Sequence, residues 1–280
     1  MKASLSLRAS IVSALILIVF LGAWQLATLP PSGGGTVYAD PEYAAMMGGA
    51  AVQASGMPTP GVVGQTILSQ LAHPFYDNGP NDKGIGIQLA WSLARVLSGF
   101  LLAALVAIPL GFVIGMSPLM FKALNPYIQI MKPISPLAWM PLALYTIKDA
   151  SLSSIFVIFI CSIWPMMINT AHGVASVKKD WLNVARTLEV NAFRTAMQVV
   201  LPAAAPTILT GMRISMGIAW LVIVAAEMLV GGTGIGYFVW NEWNNLNLSN
   251  VIFAIFMIGA VGMALDMVFG ALAKLVSYQE

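Results

Sequence analysis

The chain has 280 residues, of which 59% are hydrophobic and 9% charged; soluble proteins carry roughly 25% charged residues, so a water-soluble fold is excluded and the chain is an integral membrane protein. Its net charge of +2 is not gathered into a basic patch with interleaved aromatics, which leaves no electrostatic footprint for nucleic acid. The single cysteine, Cys161, rules out an intrachain disulfide, and His73 and His172 lie too far apart, without clustered carboxylates, to suggest a metal site.

Spanning hydrocarbon as a helix takes about 20 apolar residues. The first candidate is Ser10 to Leu29, behind Lys2 and Arg8. A basic start followed by an apolar core also describes a cleaved signal peptide. This run is longer than a usual signal core and ends in LPPSGGG without a clear small-x-small site, which favours a retained N-terminal helix over 1–29. The polar interval 30–91 follows, rich in Pro and Gly in its first half, which reads as flexible. Within it GVVGQTILSQLA has helical apolar spacing suited to the membrane surface.

A second span runs from about Ser92 to Gly115 and includes the pair Gly111 and Gly115, whose spacing allows close helix approach. The third, Ala123 to Ile147, is interrupted by Pro126, Pro133, Pro136 and Pro141, so it must kink or break. Freed carbonyls survive in lipid only against protein or a wet cavity, which puts this element inside the bundle beside any pathway. The fourth and fifth spans, Leu152 to Ala171 and Ala203 to Leu229, flank the longest polar interval of the second half. The sixth runs from Asn250 to Ala273.

That interval, KKDWLNVARTLEVNAFRTAMQVVLPAAAP from Lys178 to Pro206, carries Trp181, Val184, Ala185, Leu188, Ala192 and Phe193 at three- and four-residue intervals. The spacing predicts an amphipathic helix that docks its apolar stripe into a partner's groove or rests on the inner leaflet. With the N-terminus inside, Lys2, Arg8, Lys122, Lys178, Lys179, Arg186, Arg194 and Lys274 are cytoplasmic, and only Lys83 and Lys148 lie outside. The fold expected is therefore all-α, with six transmembrane helices over a 92–273 core, both termini cytoplasmic, a cytoplasmic loop 174–202 and a tail 274–280. Residues 30–91 and 231–249 face outward.

No G-x-x-x-x-G-K-[ST] occurs, no Ser/His/Asp set or carboxylate pair is placed for catalysis, and no enzymatic activity or cofactor is expected. Gly232-Thr233-Gly234-Ile235-Gly236 faintly resembles a phosphate cradle but reads better as a turn. Charges inside the spans are costly and usually face the bundle interior. Lys132, Arg213 and Asp266 share a depth, roughly 12 to 15 Å from the inner boundary at 1.5 Å per residue. Arg213 and Asp266 are partners by that depth, as a tie between helices or as part of a pathway. Lys132, beside the Pro133 break, either meets a passing anion or reaches down to the headgroups. Arg95 and Glu227 fall near the outer ends of the second and fifth helices, as a tie or as a gate. Trp91, Trp240, Trp243, Tyr237 and Phe238 read as interfacial anchors.

The interval Lys178 to Pro206 resembles the cytoplasmic loop of permease subunits of bacterial ABC importers, whose pattern is E-A-A, three residues, G, nine residues, I, one residue, L-P. It falls on Asn183-Val184-Ala185, Glu189, Val199 and Leu201-Pro202, with Asn183, Val184 and Glu189 as departures. The resemblance extends through KPISPLAWMPLALYTIKDAS and GMRISMGIAWLVIVAAEMLVGGTGIGYF, which look like the subfamily importing nitrate and nitrite, taurine and alkanesulfonates, cyanate and bicarbonate. The Leu188-Glu189 variant, NDKGIG and WNEWNNL look most like nitrate/nitrite permeases.

The resemblance implies a bacterial inner-membrane permease that pairs with a second copy and couples to two cytoplasmic ATPase subunits, which bind the ATP. A periplasmic substrate-binding protein delivers a small oxyanion. Trp181, Val184, Ala185, Arg186, Leu188 and Glu189 then form the coupling element, with Ala185 packed into the ATPase groove. Lys132, Pro133, Pro136 and Arg213 are candidates for the pathway. Since glutamate tolerates positive φ poorly, the helix is expected to run on through Glu189 and offer its carboxylate to a basic residue of the ATPase.

Overall fold

The computed structural model describes residues 5–28 and 57–276. The expectations for 29–56, for Lys2 and for the last residues of the tail lie outside the described residues. Every regular element described is helical: α1 (Leu5–Thr28), α2 (Pro60–Ala72), α3 (Ile85–Met116), α4 (Pro118–Met131), a 3-10 turn (Pro136–Trp139), α5 (Met140–Ile147), α6 (Ala150–Ala175), α7 (Lys179–Thr187), α8 (Ala192–Thr195), a π turn (Ala196–Val200), α9 (Leu201–Val230), α10 (Ile235–Asn244) and α11 (Leu248–Val276). Five stretches among the described residues are long and apolar enough to cross a membrane: α1 from Leu7, α3, α6, Ala192–Val230 and α11.

The chain divides into two compact units, one of Met1–Pro74 with Glu242–Ile255, the other of Phe75–Asn241 with Phe256–Glu280. In the first, α1 leaves nearly all its side chains uncovered, as a helix solvated by lipid does. Thr59 caps α2 by accepting the Val62 N–H, and Pro60 fills the first turn, where its missing N–H costs nothing. Gln70 donates to Asn250, whose own amide donates to Glu242 at 2.7 Å.

The second unit is built on α3 and α6. Gly99, Ala103, Ala107, Gly111 and Gly115 recur every fourth residue on α3, and the two alanines are fully buried. A Cβ at Gly111 would lie 2.6 Å from the Met167 carbonyl oxygen, and one at Gly115 would lie 2.5 Å from that of Ala171, so only glycine permits this approach. On the opposite side of α6 a Cβ at Gly211 of α9 would meet Asn169 at 2.6 Å. Backbones drawn this close replace lipid contacts with dense protein packing, the main source of cohesion between apolar helices in a bilayer.

Three boundaries differ from those the sequence predicts, and the break that its prolines require is present. Helix α3 begins at Ile85, within the interval 30–91, because buried Gln88 and Ser92 find partners that let polar residues enter the helix. The third span is not one helix: α4 stops at Met131, with Lys132 as its cap, and the chain restarts at Pro136. Pro133 has no N–H with which to continue the ladder, so the helix stops there although Lys132 itself keeps helical φ and ψ. Helical structure before α9 starts at Ala192, so the second half of the loop 174–202 is largely helical, and the π turn falls just ahead of Pro202. Lastly, the helix does not pass through Glu189. It ends at Thr187, and Glu189 adopts φ 53.

Candidate functional site

The loop between α6 and α9 folds as two short helices. Helix α7 has Asp180 in its first turn and Arg186 in its last, each of the sign that the helix dipole favours. Its C-terminus carries paired hydrogen bonds, Val190 N–H to the Ala185 carbonyl and Glu189 N–H to the Arg186 carbonyl, both 3.0 Å. That is a Schellman cap with Glu189 in the left-handed position usually taken by glycine. Asn191 then accepts the Arg194 N–H at 2.7 Å and starts α8.

The two faces of α7 differ. Trp181, Val184 and Leu188 point away from the chain, with Leu188 70% exposed, and Lys178 sits over the Trp181 ring at 5.5 Å. Phe193, on α8, is also 70% exposed. Ala185, expected in a partner's groove, is instead turned inward and is 4% exposed. It lies on the same side as Leu182, which packs on Val174, Val177, Val200, Ala204 and Ile208 from the ends of α6 and α9. A small residue is needed there because α7 sits close to its own chain. Arg186 and Glu189 are exposed.

At the other end, Glu227 is 1% exposed and fully partnered. Arg95 donates to it at 2.7 Å, Ser92 at 2.8 Å, and the Gly236 N–H at 3.0 Å. Arg95 also donates to the Thr233 carbonyl and to Ser151. The Gly234 N–H reaches Gln88 at 2.6 Å and the Ile235 N–H reaches Ser92 at 2.9 Å. Two of the glycines from Gly232 to Gly236 are explained by contact: a side chain at Gly234 would overlap the Glu227 carboxylate, and one at Gly236 the Val224 carbonyl, while Gly232 holds a positive φ. The segment is a turn leading into α10, as the sequence predicts: its Gly236 N–H meets the Glu227 carboxylate, while its Gly234 and Ile235 N–H groups go to Gln88 and Ser92. Gln88, Ser92 and Arg95, four and three residues apart on α3, form a polar stripe in an apolar helix, a signal available in the sequence.

Beside this network, Tyr237 and Asn241 of α10 donate to Asn81, in the turn closed by the Lys83–Asp77 pair. The Lys83 ammonium and the Gly79 N–H hold the Asp77 carboxyl below its ordinary range. That contribution to the turn is present above the usual aspartate pKa and fades as pH falls through the lowered one.

Arg213 of α9 and Asp266 of α11 form a two-pronged pair, with Nε and one terminal nitrogen each 2.5 Å from a carboxylate oxygen. Their side chains are 46% and 54% exposed. Lys132 shares no cavity with them. It lines a cavity of about 510 Å³ among α3, α4 and α6, and a smaller one that includes Pro136, while Arg213 lines two others. Pro133 is exposed at the break.

Residues 107–278 match the family described as the binding-protein-dependent transport system inner membrane component. The chain belongs to this family. Among curated relatives of this permease, the "Nitrate import permease protein NrtB" of Synechocystis sp. is 46% identical over 224 residues, covering 80% of this chain and 82% of that protein. The "Bicarbonate transport system permease protein CmpB" of Synechocystis sp. is 43% identical over 208 residues, 74% of each. Among solved structures, the inward-facing MetNI methionine ABC transporter matches with a TM-score of 0.60 at 11% identity, over 68% of this chain and 94% of that one, a likeness of fold. The permease is accordingly a multi-pass inner-membrane component of a transport system that works with a binding protein and ATPase subunits.

Proposed function

We propose that the chain is the permease subunit of an ATP-driven importer of nitrate or nitrite, acting as a two-fold pair on two ATPase subunits. The 46% identity to a nitrate import permease carries the choice of cargo. In this reading the broken element from α4 to α5 serves as a sixth crossing, both termini are cytoplasmic, and α7 is the coupling helix. Its outer stripe of Trp181, Val184 and Leu188 meets the ATPase, and Leu182 with Ala185 passes the push to α6 and α9. Closed two-fold symmetry supplies the two docking helices that paired ATPases require. The half-exposed Arg213–Asp266 pair faces the second copy or the wet route, since a charge pair within hydrocarbon is rarely left to lipid.

Bicarbonate is the second reading, favoured by the 43% identity to a bicarbonate permease. Reconstituting the permease with its ATPase and binding-protein partners in proteoliposomes separates the two. Labelled nitrate should accumulate only with ATP and binding protein present. Uptake of bicarbonate, a sulfonate or cyanate without nitrate would overturn the cargo, and uptake without ATP would overturn the class.

A further inference from the structure

Helix α4 carries Lys122, Asn125, Gln129 and Lys132 at intervals of three, four and three residues, the spacing of a single helical face. All four line the cavity of about 510 Å³, and His172 of α6 joins them there. No Asp or Glu lines it, and neither lysine has an ion-pair partner among the described residues. Every polar side chain on this wall can donate a hydrogen bond, and the Gln129 amide points its NH2 toward the Asn125 oxygen, at 3.5 Å, leaving the Asn125 NH2 to donate elsewhere. The opposite wall is apolar, from Ile114, Met167, Ile168 and Ala171. Lys122 and Lys132 stand roughly 15 Å apart along the helix.

We infer that this slot is an anion track, the inner part of the route by which a small oxyanion leaves the permease. A lone cation in a low-dielectric wall would hold an anion; two lysines at the ends, with neutral donors between, give several weak stations instead of one strong one. Entry is then favourable while exit stays fast, the condition for conduction through any selective pore. The break at Pro133 helps, because it ends α4 with Lys132 as its cap, at the head of the stripe. The cavity of about 510 Å³ is open to the surface along Lys122, Gln129 and Lys132 and has room for water beside a small anion. The cargo assignment rests on the nitrate reading; the electrostatic character of the slot does not.

The test uses the assembled transporter with Cys161→Ser and Gln129→Cys. Methanethiosulfonate reagents bearing a sulfonate or a trimethylammonium group should modify the new thiol at different rates, the anionic one faster by about tenfold, the lower end of what a cleft of one sign achieves. Lys122→Gln with Lys132→Gln should bring the ratio to near one. Equal rates with both lysines in place, or a thiol that neither reagent reaches, would overturn the track. In parallel, Asn125→Asp should cut labelled-anion uptake at least as far while ATP hydrolysis stimulated by the binding protein persists; full uptake by that variant would also overturn it. A permease that shows the anionic preference but imports another oxyanion keeps the track and loses the nitrate assignment.

Discussion

At Glu189 the backbone holds a left-handed turn, φ 53, which costs a residue with a side chain roughly 1–2 kcal/mol. Glycine removes that strain but adds roughly 0.5–1 kcal/mol of unfolded-state entropy. Glu189→Gly is therefore expected to leave the thermal stability of the assembled transporter close to unchanged or slightly raised, whereas Glu189→Val should lower it measurably. Equal melting temperatures for both variants would show that the turn is not held. Glu227 sits at the other extreme, buried and satisfied by Arg95, Ser92 and the Gly236 N–H. Glu227→Ala leaves the Arg95 guanidinium, 11% exposed, with Thr233 and Ser151 but without its carboxylate, a loss of at most about 3–5 kcal/mol, the figure for fully buried pairs. Removing both partners, as Arg95→Met with Glu227→Met, should recover part of it in the same denaturation assay.

Among elements, the contact between α3 and α6 depends on atoms that are absent. A methyl group at Gly111 meets a backbone carbonyl, which cannot move aside as a side chain would, so Gly111→Ala should cost about 1–3 kcal/mol. The same substitution at Gly217, where nothing lies within 4 Å, should be tolerated, and equal losses at the two positions would remove the packing argument. Much of this layer was legible in the sequence. Apolar run length located the five long helices, and the prolines foretold the break between Met131 and Pro136. Helix ends were less legible because partners decide them: Gln88 and Ser92 extend α3 outward only because the turn at Gly234 and Ile235 supplies donors 146 and 143 residues away. The inward face of Ala185 was hidden for the same reason. Periodicity finds an apolar stripe but does not say which part the chain itself covers.

For the whole molecule, the arrangement suits the proposed role of transmission. The inner face of α7 rests through Leu182 on a core shared by α6 and α9, while its outer stripe is left bare. A force on that stripe reaches two long membrane helices at once, and α6 passes it to α3 through the glycine contacts. Transmission of this kind requires α7 to be cytoplasmic and covered by an ATPase. A cysteine at Val184, in a Cys161→Ser background, reports both through an impermeant thiol reagent. The thiol should be silent in intact cells, reactive in inverted vesicles lacking the ATPase, and protected once ATPase subunits are added back. Labelling from outside the cell, or labelling unchanged by the added subunits, would contradict the account.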